Sequence, residues 1–298
     1  MMNEQKRESL TRRDILKLAG VGAGGLLLHP DSAWASGGVE VENRAAVLYD
    51  ATRCVGCRLC EDACREYNNL PQPEGQESPC DLAACTWTVI KQYQEGSVTS
   101  FRKYQCMHCE HPACVSACPV QALHKLEKGP VVYDAEKCIG CRYCMAACPF
   151  HVPRIEWNDV LPKICKCTFC SDRVVAGGMP ACVEACPVGA LTFGTRHEML
   201  EEARSRIEQH PDRYVNHIYG ETEAGGTSWM YLSAVPFEKI GLPDFGSEPI
   251  PGLSESVAVY GTPSMLVGVA ALLGGVYWFT RRRADQMAES TVESKEEE

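Results

Sequence analysis

A loop-rich α+β domain followed by one membrane-spanning helix near the C-terminus is the fold class this sequence predicts. Three observations carry it. Sixteen of the nineteen cysteines fall into four tight groups between residues 54 and 186. Short strand-like runs and polar loops separate the groups. An uncharged run from Ser256 to Thr280 ends at Arg281-Arg282-Arg283.

The first group, Cys54, Cys57, Cys60 and Cys64, is spaced C-x2-C-x2-C-x3-C, and the third, Cys138, Cys141, Cys144 and Cys148, repeats that spacing before Pro149. The second, Cys106, Cys109, Cys114 and Cys118, precedes Pro119 and has a wider middle gap. The fourth, Cys167, Cys170, Cys182 and Cys186, precedes Pro187 and has an eleven-residue insert in its middle gap. Soft thiolates suit iron–sulfur clusters, and a short loop with a cysteine every third residue wraps three corners of one 4Fe-4S cube. In two-cluster bacterial ferredoxins the last cysteine of each run ligates the other cluster, and the proline after it turns the chain away. Groups therefore work in pairs.

Groups two and three are separated only by residues 119–137, which include the strand-like Gly129-Pro130-Val131-Val132-Tyr133-Asp134, the hairpin of a small ferredoxin unit. Pairing these two leaves group one for group four. The expected architecture is two interleaved bacterial-ferredoxin-like units, the inner inserted within the outer. Four ligand sets follow for four 4Fe-4S clusters: Cys54, Cys57, Cys60 and Cys186; Cys167, Cys170, Cys182 and Cys64; Cys106, Cys109, Cys114 and Cys148; Cys138, Cys141, Cys144 and Cys118. Clusters act as crosslinks, so folding is expected to depend on metal.

Disulfides and zinc are the alternatives for a cysteine-rich exported chain. Zinc sites take two cysteines from each of two knuckles, whereas three in a row at x2 spacing plus a fourth before proline fit clusters better. Cys80, Cys85 and Cys165 fall outside the groups. Cys165 lies two residues before Cys167, but Cys167 has the spacing to Cys170 that matches the other groups; no role is assigned to the three, and a disulfide between Cys80 and Cys85 after export is a hypothesis that finding both thiols free would remove. His108 and His111 lie inside a group that already has four cysteines, and are expected to be spectators rather than Rieske-type ligands.

Thr11-Arg12-Arg13-Asp14-Ile15-Leu16-Lys17, the apolar stretch Leu18 to Leu28 and Ala33-Trp34-Ala35 predict a twin-arginine export signal over residues 1–35. Gly20, Gly22 and Gly25 spell a dinucleotide fingerprint without a preceding strand, within the segment expected to be removed, and are set aside. As a helix of about 37 Å, the run 256–280 spans a hydrocarbon core of about 30 Å. The three arginines after it belong on the cytoplasmic side, which places the domain in the periplasm. Ala270 with Gly274 and Ala271 with Gly275 offer a small-residue face for another membrane helix. The expected domains are a four-cluster domain over 45–200, an extended covering or docking segment over 201–255, the anchor, and a solvated, disordered cytoplasmic tail over 281–298.

Within these bounds, Pro71 to Pro79 reads as a polar loop, Thr86 to Tyr93 as a strand and Arg196 to Gln209 as an amphipathic helix. Tyr219 to Pro243, Gly-rich and aromatic, covers the core or docks on a partner. A formal net charge of -10 without a basic patch argues against nucleic-acid binding.

The chain resembles the four-cluster ferredoxin-like subunits of membrane-bound respiratory oxidoreductases, and within them the hydrogenase-2 type of iron–sulfur electron-transfer subunit. The resemblance rests on the cysteine groups, the chain's own signal and single anchor, Ala181-Cys182-Val183-Glu184-Ala185-Cys186-Pro187 leading to Thr192-Phe193-Gly194-Thr195-Arg196, and Gly225-Gly226-Thr227 leading to Val235-Pro236-Phe237-Glu238. It implies four 4Fe-4S clusters, no catalytic residue in this chain, and attachment to the inner membrane. The implied partners are the small and large subunits of a periplasmic nickel–iron hydrogenase and an integral membrane subunit that exchanges electrons with quinone. The same relay in a formate dehydrogenase or a molybdenum-dependent reductase is the alternative, and a membrane-tethered zinc-storage protein is the rival of a different class.

Overall fold

The central strand of the fold comes directly before the first cysteine group. In the computed structural model, which describes residues 40–72, 81–96, 98–157 and 162–296, β1 (Ala45–Asp50) is buried from Ala46 onward. The expected signal over 1–35, Cys80 with its hypothesised disulfide, and Pro73 to Pro79 lie outside the described residues. β1 pairs antiparallel with β8 (Leu191–Thr195), just after the fourth group, and parallel with β9 (Trp229–Leu232). A strand bonded on both edges and covered on both faces needs a continuous apolar run, which Ala46-Val47-Leu48-Tyr49 provides. This sheet joins the strand before group one to the strand after group four.

Side chains alternate across the sheet with period 2. Ala46, Leu48, Met230 and Leu232 face α6 (Arg196–Gln209) and its buried Met199, Leu200, Ala203 and Ile207. Val47, Tyr49, Trp229 and Tyr231 face the core that holds Cys60, Cys106, Cys167 and Cys182. α6 covers the expected span and opens with a capping box: Thr195 Oγ1 accepts the Glu198 N–H at 3.3 Å, and Glu198 Oε2 accepts the Thr195 N–H at 2.8 Å.

Three two-stranded hairpins lie inside this frame. β2 (Val89–Glu95) pairs with β3 (Val98–Tyr104), β4 (Leu123–Lys125) with β5 (Val131–Tyr133), and β6 (Arg154–Ile155) with β7 (Ile164–Cys165). The strand expected from Thr86 begins instead at Val89, because Ala83 and Thr86 exchange both backbone hydrogen bonds (3.0 and 3.1 Å) in a turn.

Short helices present the cysteines. α1 (Leu59–Tyr67) carries Cys60 and Cys64 and packs on α5 (Ala181–Glu184), which carries Cys182. α2 (Ala113–Ser116) carries Cys114 and packs on α3 (Tyr143–Ala147), which carries Cys144. α4 (Ser171–Val175) follows Cys170. Group one thus sits on group four, and group two on group three.

One buried charge cluster ties the two units together. Glu110 pairs with Arg44 at 2.7 Å and with Lys125 at 3.0 Å, and accepts the Ser228 hydroxyl at 3.1 Å. These groups come from the approach to β1, the second cysteine group, β4 and the approach to β9.

α7 (Gly252–Ser256) leads through a π-helical turn over Val257–Gly261 into α8 (Thr262–Glu296). The stretch Val259–Met287 is long and apolar enough to cross a membrane. Its Met265, Leu266, Leu272, Leu273 and Phe279 are exposed, a surface that lipid or another membrane helix satisfies and water does not. Near its end Arg281 donates to the Tyr277 hydroxyl at 3.0 Å, and the Arg282 guanidinium lies 5.2 Å from the Trp278 ring, the residue types of a membrane–water boundary. The disordered tail expected after Arg283 is corrected: α8 continues through Glu296, since Ala284, Gln286, Met287, Ala288 and Glu289 favour helix and neither Gly nor Pro interrupts them.

Candidate iron–sulfur centres

Three cysteine-lined cavities lie along the domain. The first is lined by Cys54, Cys57, Cys60 and Cys186. The second is lined by Cys64, Cys167, Cys170 and Cys182. Another is lined by Cys118, Cys138, Cys141 and Cys144. The remaining four thiols also gather: Cys109 is half-buried, with Cys106, Cys114 and Cys148 as its electrostatic neighbours. The fold therefore brings together the cysteines of each expected set, three from one group and one from its partner. Among the described residues no three His, Cys, Asp or Glu side chains converge on a single-ion site.

The local backbone explains how short segments do this. Gly56 and Gly140, inside the two C-x2-C turns, have φ of +72° and +70°, and Arg58 and Arg142 follow at +63° and +64°. Left-handed residues coil the chain tightly enough to aim successive thiols inward. They also aim N–H groups at sulfur: Gly140 N–H donates to Cys138 Sγ and Phe169 N–H to Cys167 Sγ, both at 3.4 Å.

This backbone repetition has a sequence counterpart that the spacing argument passed over. Val47-Leu48-Tyr49-Asp50-Ala51 before group one matches Val131-Val132-Tyr133-Asp134-Ala135 before group three. Pro112-Ala113-Cys114-Val115 through Cys118-Pro119-Val120 matches Pro180-Ala181-Cys182-Val183 through Cys186-Pro187-Val188. The two units are copies of one another. At their junction the equivalent residues His108 and Phe169, both with positive φ (48° and 61°), pack edge-on with ring centres 4.9 Å apart.

The four sets form a row. Cys60 of the first interacts with Cys182 of the second, Cys167 of the second with Cys106 of the third, and Cys114 of the third with Cys144 of the fourth. Cys57 and Cys141 are exposed at its two ends, and Val55 with Leu59, and Ile139 with Tyr143, are exposed beside them.

As free thiols these groups resist ionisation. Burial pushes Cys60 and Cys64 up to about 12, and Cys144 and Cys148 up to about 11. A metal that takes them as thiolates must displace their protons and supply the compensating charge. Trp229 Nε1, on a residue lining the second cavity, is a buried donor without an acceptor among the described residues. His108 Nδ1 accepts the Val131 N–H at 2.8 Å, which assigns the proton to Nε2, on the side of the Cys167 backbone. Burial, then Lys166 and Lys125, hold this histidine neutral, well below the usual imidazole range. Thiols with N–H donors beside them suit a cluster whose sulfurs accept hydrogen bonds.

Sequence reasoning missed the buried lysines. Lys103 lines the second cavity, and Lys166 donates to the carbonyls of Val131 (2.5 Å) and Cys167 (3.0 Å). A lysine on a strand next to a cysteine group reads in sequence as a surface charge. The leftover Cys165 is buried, with its Sγ 3.6 Å from Glu156 Oε1.

Comparison with known proteins agrees with this geometry. Residues 97–196 match a 4Fe-4S dicluster domain, and residues 51–67 a 4Fe-4S binding domain. The chain is 45% identical to a protein of Nitratidesulfovibrio vulgaris (Hildenborough) over 83% of its own length and 70% of that chain. It is 35% identical to the hydrogenase-2 operon protein HybA of Escherichia coli O157:H7, over 89% of this chain and 93% of HybA. It is 42% identical to the iron–sulfur subunit of the nitrate-inducible formate dehydrogenase of Escherichia coli K12, over 65% of this chain and 69% of that one. The chain belongs to the family of 4Fe-4S iron–sulfur proteins that contains HybA and the iron–sulfur subunits of formate dehydrogenases.

Proposed function

We propose that this chain is a non-catalytic electron-transfer subunit holding four 4Fe-4S clusters, and that it links a periplasmic nickel–iron hydrogenase to a quinone-reactive membrane subunit. The observation that carries the relay is the row of four thiol sets with an exposed cysteine at each end. Cys54, Cys57, Cys60 and Cys186 hold the first cluster; Cys64, Cys167, Cys170 and Cys182 the second; Cys106, Cys109, Cys114 and Cys148 the third; Cys118, Cys138, Cys141 and Cys144 the fourth. When bound, such clusters supply one-electron redox chemistry at potentials between about -700 and +450 mV.

The protein's own residues place and insulate them. Trp229, Phe169 and Tyr231 fill the core between the sets and exclude water. The N–H donors to Cys138 and Cys167 offset thiolate charge, which favours the reduced form. Val55, Leu59, Ile139 and Tyr143 give each end an apolar rim against which a partner subunit excludes solvent. The exposed apolar helix and its terminal arginines support an inner-membrane anchor with the domain in the periplasm and the C-terminus in the cytoplasm.

The likeness to HybA, which extends through nearly the whole of both chains, supports a hydrogenase as catalytic partner. A second reading has its own support: the Escherichia coli formate dehydrogenase-O iron–sulfur subunit is also 35% identical, over 87% of this chain. The native complex, purified anaerobically in detergent, separates them. Hydrogen is expected to bleach the visible absorbance of the clusters, and formate is expected to leave it unchanged. Bleaching by formate alone would keep the relay and replace the partner.

A further inference from the structure

Lys103, on β3, is buried to 1% exposure. Lysine is almost never buried without a counter-charge, because an ammonium loses its hydration there. The contacts of its ammonium are the Thr88 hydroxyl, to which Nζ donates, and the face of Trp229, with Nζ 4.9 Å from the ring centre. Neither carries a negative charge. Of the other two lysines of this core, Lys125 is paired with Glu110, while Lys166 is capped by two neutral carbonyls and lies toward the third set. Glu61 is within electrostatic reach of Lys103, but its carboxylate is engaged by the Ile90 N–H at 2.6 Å.

What surrounds Lys103 is sulfur. It lines the cavity of Cys64, Cys167, Cys170 and Cys182, and its charge also acts on Cys60 of the neighbouring set. The thiols of the third and fourth sets are not among its principal electrostatic partners. Lys103 therefore lies at the junction between the first and second sets, on a strand rigidly paired to β2 through seven residue pairs.

We propose that Lys103 is an electrostatic positioning residue, a fixed positive charge shared by the first two clusters that raises both of their reduction potentials. The inference rests on the reading of the four thiol sets as cluster sites. Each one-electron reduction adds a negative charge, so a nearby ammonium in a low-dielectric core stabilises the reduced form. The thiolate-bound clusters in turn supply the counter-charge that the lysine lacks. The position matching Lys103 next to the fourth group is Ile164, and the third set has Lys166 as its own buried cation, acting on Cys114 and Cys148.

The test is an anaerobic redox titration of the full-length protein, followed by electron paramagnetic resonance, for wild type, Lys103→Met and Lys103→Arg, with iron and acid-labile sulfide measured on each. In Lys103→Met two couples are expected to fall, with the reduced-to-oxidised ratio at fixed potential changed by about tenfold or more, equivalent to about 59 mV for one electron. The other two couples stay in place, and Lys103→Arg returns the shifted pair toward wild type. Unshifted couples at equal iron content, or one common shift of all four, would overturn the proposal. Thr88→Val keeps the charge but removes its hydroxyl anchor, and provides the test if Lys103→Met fails to assemble. It is expected to move the same pair by less than tenfold, and movement of the other pair instead would sink the idea. A wild-type protein without iron–sulfur signals would refute the functional reading itself, whereas silent variants beside a cluster-loaded wild type would refute only the role of Lys103.

Discussion

Removing iron from the purified protein with a chelator under reducing conditions is expected to abolish its cooperative unfolding transition, not merely to lower the midpoint. The thiols of Cys60, Cys106, Cys167 and Cys182 belong to the main apolar core, beside Tyr49, Phe169 and Trp229. Most of the cysteine-bearing helices are four or five residues long, too short to stand without tertiary support. Structural metal binding contributes on the order of 10 kcal/mol per site, against a total stability of about 5–15 kcal/mol for an ordinary domain. Loss of near-ultraviolet circular dichroism together with the transition is the expected readout. A stripped protein that still unfolds cooperatively would show that the apolar core alone sustains the fold.

The second large effect concerns Glu110. Glu110→Gln is expected to cost about 3–5 kcal/mol in the cluster-loaded protein, because it leaves Arg44 and Lys125 buried beside a neutral amide. The comparison is Glu184→Gln, which breaks an ion pair of similar length (2.6 Å to Arg173) on the surface and should cost about 1 kcal/mol or less. Burial, not distance, separates the two. Burial opposes ionisation of Glu110, yet Lys125 and Arg44 together hold its carboxyl below the usual range. A depressed carboxylate pKa contributes stability that is complete above the ordinary value of about 4.3 and is lost as pH falls through the lower folded value. Denaturation midpoints for both variants at neutral pH, and for wild type down an acid series, check size and sign. Equal losses for the two variants would contradict the assignment.

The gathering of the cysteines was legible in sequence because close spacing is a local constraint: three thiols reach one place only if the loop between them is short. The helix over 196–209 was legible for the same reason, since its apolar spacing and Thr195-to-Glu198 cap are contiguous. What escaped were long-range arrangements. Trp229-Met230-Tyr231-Leu232 reads as one more apolar stretch, and nothing local says that it adds to β1, more than 180 residues earlier, in parallel. Glu110, Arg44 and Lys125 read as scattered surface charges until the fold buries them together. Lys103 escaped because a period-2 strand offers two faces, and only the paired hairpin shows that its face is turned to sulfur. The internal duplication was readable all along in Tyr49-Asp50-Ala51 and Tyr133-Asp134-Ala135; attention to cysteine spacing alone hid it.

The central claim is that each cluster draws three cysteines from one group and the fourth from its partner. Resonance spectra of single alanine substitutions test it most directly. Cys64→Ala and Cys167→Ala are expected to lose or alter the same cluster signal, and Cys54→Ala and Cys186→Ala a different one, each variant retaining about three quarters of the iron. If Cys64→Ala and Cys54→Ala instead removed the same signal, each group would hold its own cluster, and the interleaved arrangement would be wrong.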